Sequence, residues 1–151
     1  MNGAFVCSGL FAVLLLLSTG PLFAQTREDT FRRADSNGDE VIDSAENAAF
    51  VDKDFDEQDA SRDGRIGVAD LEVWLRTHVY GHQPGTPVAL PANAVREVAL
   101  RDIELKDRDG DGFISRDEHR SAAASFFKAM DRDRDGKLSH DEFGRPAPPS
   151  K

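Results

Sequence analysis

Two twelve-residue stretches carry carboxylates at a spacing suited to holding a cation: DRDGDGFISRDE at 107–118 and DRDRDGKLSHDE at 131–142. Each has Asp at the first, third and fifth places, Gly at the sixth, an aliphatic residue at the eighth and Glu at the twelfth. Ca²⁺ takes roughly 6–8 oxygen ligands at about 2.3–2.6 Å, and a short loop can supply them by folding round the ion. The ligands expected here are Asp107, Asp109, Asp111, the Phe113 carbonyl and Glu118, then Asp131, Asp133, Asp135, the Lys137 carbonyl and Glu142. Glycine at the sixth place permits the positive φ that the sharp turn needs.

Two further stretches follow the pattern with departures. Residues 35–46 offer Asp35, Asn37, Asp39, the Val41 carbonyl, Asp43 and Glu46, but Glu40 stands at the sixth place. A non-glycine residue in left-handed geometry costs on the order of 1 kcal/mol, and Gly38, two residues earlier, does not repair that. Residues 59–70 offer Asp59, Ser61, Asp63, the Arg65 carbonyl and Asp70. Here Ser61 is neutral, Gly67 has no side chain at the ninth place, and Asp70 is one methylene shorter than Glu. Fewer carboxylates mean weaker Ca²⁺ binding. This stretch is therefore expected to be the weakest site, one open to Mg²⁺ or a relic without metal. In chain order the four are loops 1 to 4, and three or four Ca²⁺ per chain are expected, with loops 3 and 4 filling first.

Helices must present these loops. Thr26 to Ala34 reads as a short charged helix with Thr26 as its cap and Asp29 three residues on. Leu71 to Tyr80 places Leu71, Trp74 and Leu75 on one face, so Trp74 reads as a core residue, with a partner-binding anchor as the alternative. Ala94 to Lys106 reads as a helix with Val95, Val98 and Ile103 on roughly one side. Loop starts at 35 and 59 differ by 24 residues, as do those at 107 and 131. Phe31, Phe55, Ile103 and Phe127 each stand four places ahead of a loop's first Asp. The expected division is a half at 25–80, a linker at 81–93 (GHQPGTPVALPAN), a second half at 94–143 and a proline-rich extended tail at 144–151.

With these loops, repeats and flanking helices, the chain resembles a secreted EF-hand protein with four motifs, of the small type exported by bacteria. The resemblance implies an all-α fold of helix–loop–helix units, Ca²⁺ binding, and usually no catalysis; the loop positions themselves put two closely spaced loops in each half. One feature departs from the family. Only twelve residues, 47–58 and 119–130, separate the loops of a half, where paired loops ordinarily have two helices and a turn between them. His119 to Met130 contains no Gly or Pro and carries a helical stripe, so one helix can hold loops 3 and 4 at its two ends. The alternative is a sharp bend that pairs Ile114 with Leu138.

Residues 1–24 carry no charge, and the apolar run from Leu10 to Leu17 has the length of a signal-peptide core, too short to span a bilayer. Cleavage before Gln25 would remove Cys7, the only cysteine, and deliver a chain without a membrane anchor to the periplasm or the exterior. The net charge of −9 resists compaction unless cations neutralise it, and it argues against nucleic acid as a partner. His78 and His82 are four apart, but Gly81 and Pro84 weaken the zinc reading; His119 and His140 are expected to face solvent. No nucleophile–base constellation or phosphate loop is present, so no catalytic residues are assigned. A calcium buffer or calcium-stabilised structural protein is the favoured role. The alternative is a sensor or adaptor docking on an exported enzyme or surface partner.

Overall fold

The structure, a computed structural model, describes residues 21–79 and 92–143. The expected linker, apart from its last two residues, lies outside that range, as do His82 and the tail. The order is α1 (Pro21–Ala34), β1 (Val41–Asp43), α2 (Ser44–Gln58), β2 (Arg65–Ile66), α3 (Val68–Trp74), a π turn (Leu75–Val79), α4 (Ala92–Lys106), β3 (Ile114–Ser115), α5 (Arg116–Met130) and β4 (Lys137–Ser139). The fold is the expected all-α arrangement of helix–loop–helix units, with two small sheets as minor elements. Helix α1 starts at Pro21, where a fixed φ favours a first turn, so Thr26 lies inside the helix and does not cap it. The helix expected from Leu71 begins at Val68 and loosens into the π turn after Trp74. No described helix is long and apolar enough to cross a membrane.

Helix α5 is unbroken over 15 residues, about 22 Å at 1.5 Å per residue, and puts loops 3 and 4 at its two ends. Helix α2 does the same for loops 1 and 2. The bend is thereby excluded. The strands pair between the halves. Antiparallel β1 and β4 align Ile42 with Leu138, while β2 and β3 align Ile66 with Ile114. Sequence order groups loop 1 with loop 2 and loop 3 with loop 4; strand pairing groups loop 1 with loop 4 and loop 2 with loop 3. The chain divides into two compact units accordingly, one of residues 1–51 and 121–151, the other of residues 52–120.

In the first unit, Phe31, Ala34, Ile42, Phe50, Met130, Leu138 and Phe143 form the core, with Phe126 and Phe127 packed against it. Phe31 stacks on the half-buried His140 at 3.8 Å and meets Phe143 edge-on at 5.4 Å. Burying a side chain of this size contributes about 1.5–3 kcal/mol.

In the second unit, Phe55, Ile66, Leu71, Trp74, Leu75, Val95, Ala99, Ile103 and Ile114 are buried. Trp74, at 2% exposure, is a core residue. His119, expected to face solvent, is buried instead. It follows Glu118 on the inner face of α5, meets Phe55 edge-on, and places Nε2 3.2 Å from Asp54 Oδ2. Gln58 Nε2 donates to the same carboxylate oxygen at 2.7 Å, and Lys106 Nζ lies 2.7 Å from Asp102. Asp54–Gln58 and Asp102–Lys106 occupy equivalent places ahead of loops 2 and 3, where the other unit has Thr30–Ala34 and Phe126–Met130. Arg116 and Arg120 on α5 pair with Asp52 and Asp56 on α2. The Arg120 hydrogen bond holds the Asp52 carboxyl below the ordinary range, against a smaller opposing effect of burial.

Candidate metal centres

The four loops share one backbone path. The first Asp accepts the sixth residue's N–H through Oδ2 at 3.0, 2.9, 2.8 and 3.1 Å in loops 1 to 4. The fifth-place Asp accepts the seventh residue's N–H in each. The fourth and sixth places both take positive φ, and only loop 3 has glycine at both, Gly110 and Gly112. Elsewhere Glu40 (φ 66), Arg62 (φ 59) and Arg134 (φ 62) are held in that region. The expected strain at Glu40 is thus real. Glu40→Gly is predicted to raise stability by about 1 kcal/mol, measured as an increased denaturation midpoint in calcium-free buffer. An unchanged or lowered midpoint would contradict it.

The exit helix presets the twelfth-place acid. Glu46 Oε2 accepts the Asp43 N–H at 3.1 Å while Asp43 Oδ1 accepts the Glu46 N–H at 2.9 Å. Ser115 and Glu118 make the same reciprocal pair. These are capping boxes. The S-x-x-E at 115–118 and D-x-x-E at 43–46 announce them in the sequence, a signal that ligand counting alone passes over. The other oxygen, Oε1, accepts N–H groups from the second and third places of loops 1, 3 and 4. For Glu118, burial pushes the carboxyl up, but the N–H groups of Ser115, Arg108 and Asp109 and the Ser115 hydroxyl outweigh it and lower it to about 2. For Glu142, the Ser139 N–H leads, and with the Ser139 hydroxyl and the Arg132 and Asp133 N–H groups it overcomes burial and brings the carboxyl to about 2. Both stay ionised through any physiological pH.

The acids converge in three places among the described residues: Asp35, Asp39 and Glu46; Asp107, Asp109 and Glu118; Asp131, Asp133 and Glu142. In each trio one oxygen per residue lies within 4.8 Å of the others. Carboxylates this close repel by roughly 1–3 kcal/mol per pair at an effective dielectric between those of water and a protein surface. A divalent cation removes that repulsion. Asp131 Oδ1, buried and without a hydrogen-bond partner, is an atom such an ion would satisfy. The oxygen-only donor set fits a hard cation such as Ca²⁺.

The remaining expected ligands stand beside these trios. Asn37 Oδ1 accepts the Asp39 N–H, and Asp43 Oδ1 accepts the Ala45 N–H. Asp111 and Asp135 bond the seventh-place N–H groups of their own loops. Val41, Arg65 and Lys137 open strands β1, β2 and β4, and Phe113 precedes β3. Loop 2 forms no such trio. The short Asp70 reaches the N–H groups of Ser61 and Gly67, both at 2.9 Å, while the Ala60 N–H goes to the Gln58 carbonyl. The Ser61 hydroxyl donates to Asp59, and the Arg65 Nε lies 3.4 Å from Asp63. His78, one of the weighed zinc ligands, turns its Nδ1 to the Trp74 carbonyl at 3.2 Å.

No curated protein matches the chain. The family model described as EF hand matches residues 100–119 and 123–145, covering loops 3 and 4 with the C-terminal parts of the helices that lead into them, and these matches support an EF-hand protein that binds calcium.

Proposed function

We propose that this protein is an exported calcium buffer or calcium-stabilised structural protein that holds Ca²⁺ at loops 1, 3 and 4. The observation that carries the calcium reading is the convergence of three carboxylates in each of those loops, with Asp131 Oδ1 buried and unsatisfied. The uncharged, leucine-rich residues 1–24 support export. A buffer is favoured over a sensor because sensors open a methionine-rich groove, and Met130, the one methionine beyond Met1, is already buried in the core of its unit.

Calorimetric titration of protein starting at Gln25 is the test. Three tight Ca²⁺ are expected, and Glu118→Gln and Glu142→Gln should each remove about one. If neither substitution changes the titration, the loops are not the sites. An apolar dye read with and without Ca²⁺ decides the role: no change supports the buffer, and a rise transfers the reading to an adaptor.

A further inference from the structure

We infer that loop 2 is a metal-free clamp whose Arg65 and Gly67 position Phe113, the residue that supplies the seventh-place carbonyl of loop 3. This rests on the calcium reading of loop 3. The starting point is Gly67, which stands where a ninth-place ligand belongs. Its backbone does not require glycine, since its φ of −100° and ψ of 176° are ordinary extended values. What crowds a side chain there is the Phe113 ring. A Cβ on Gly67 would lie 3.2 Å from Phe113 Cε1 and 3.3 Å from Cδ1. The Arg65 guanidinium carbon lies 4.0 Å from the centroid of the same ring, and the guanidinium also reaches Asp63.

The strand register accounts for the meeting. Arg65 faces Ser115 and Ile66 faces Ile114, so the next step along the antiparallel pair brings Gly67 to Phe113. In the other pair the corresponding register sets Asp43, a ninth-place acid, against Lys137. Loop 1 therefore has a ninth-place carboxylate opposite a flexible cation, and loop 2 has a bare glycine opposite a ring. Loop 2 also fails as a cage on its own terms. Its carboxylates do not converge as the other three sets do, and an arginine from within the loop lies beside Asp63. A ring pinned between a guanidinium and a bare Cα restricts the backbone of Phe113, and groups that orient a ligand ordinarily change metal affinity about 10–100-fold.

The experiment is an amide-resolved NMR titration with CaCl₂, following the sixth-place glycines Gly64, Gly112 and Gly136, whose N–H groups report on loops 2, 3 and 4. Gly112 and Gly136 should shift with saturation, and Gly64 should follow no isotherm of its own. Phe113→Ala and Gly67→Ala should each weaken the Gly112 isotherm about tenfold and leave Gly136 in place, while Phe113→Tyr, which keeps the ring, should restore it. Asp59→Asn should not change the number of ions bound. A saturable Gly64 isotherm that persists in Glu118→Gln, where loop 3 is disabled, would overturn the clamp, as would a Gly112 isotherm indifferent to Phe113→Ala. Three silent glycines would instead sink the calcium reading and the clamp with it.

Discussion

Chelating calcium lowers the thermal unfolding midpoint by roughly 15–30 °C. The estimate follows from linkage: an ion that binds only the folded chain stabilises it by about 2.7 kcal/mol at a hundredfold excess over Kd. Three such sites contribute about 8 kcal/mol, against a total of roughly 5–15 kcal/mol for a typical domain. For a chain of this length each kcal/mol moves the midpoint by about 2–4 °C. The chain has good reason to depend on the ion. Its net charge is −9, and its only cysteine lies in the expected leader, leaving no disulfide. Two of the three carboxylate trios lie in the unit of residues 1–51 and 121–151, so that unit should respond most. Circular dichroism melts with calcium and with a chelator provide the measurement. Superimposable curves would make the ion a surface bystander.

Ile42→Asp abolishes tight binding at loop 1 and, with it, at loop 4. Ile42 is 1% exposed and pairs with Leu138, so the substitution buries a carboxylate between two loops. Placing an unpaired charge in such a site costs on the order of 4–5 kcal/mol or more. The consequence should follow the strand pairing, not the sequence order. The Gly136 amide of loop 4 should lose its calcium response while Gly112 of loop 3 keeps its own. The counterpart, Ile114→Asp, should silence Gly112 and spare Gly136, because Ile114 pairs with Ile66. If Ile42→Asp left Gly136 untouched, the pairing of loop 1 with loop 4 would not operate in solution.

The loops were legible from residue types because everything that shapes them is local. Within twelve residues the first Asp bonds the sixth N–H, the fifth bonds the seventh, and the twelfth bonds the ninth, so spacing alone specifies the path. The positive φ forced on Glu40 could be read for the same reason. Helix α5 was readable only in part: the stripe from His119 to Met130, without Gly or Pro, allowed one helix, and a sharp bend stood beside it as the alternative. What residue order left open was which loops meet. That depends on contacts between residues up to 98 positions apart, as in Val41 with Ser139. His119 shows the same limit: beside a polar loop it looks exposed, and only packing of α5 against α2 brings it to Asp54 and Phe55. Gly67 shows it most plainly. On the chain it is a missing ligand; in the fold it is the place where the backbone closely approaches the ring of Phe113. The sequence by itself determined the path of the loops, through bonds that close within one loop. The tertiary structure decided their partnership, because side chains far apart in the chain have no local constraint until the strands pair.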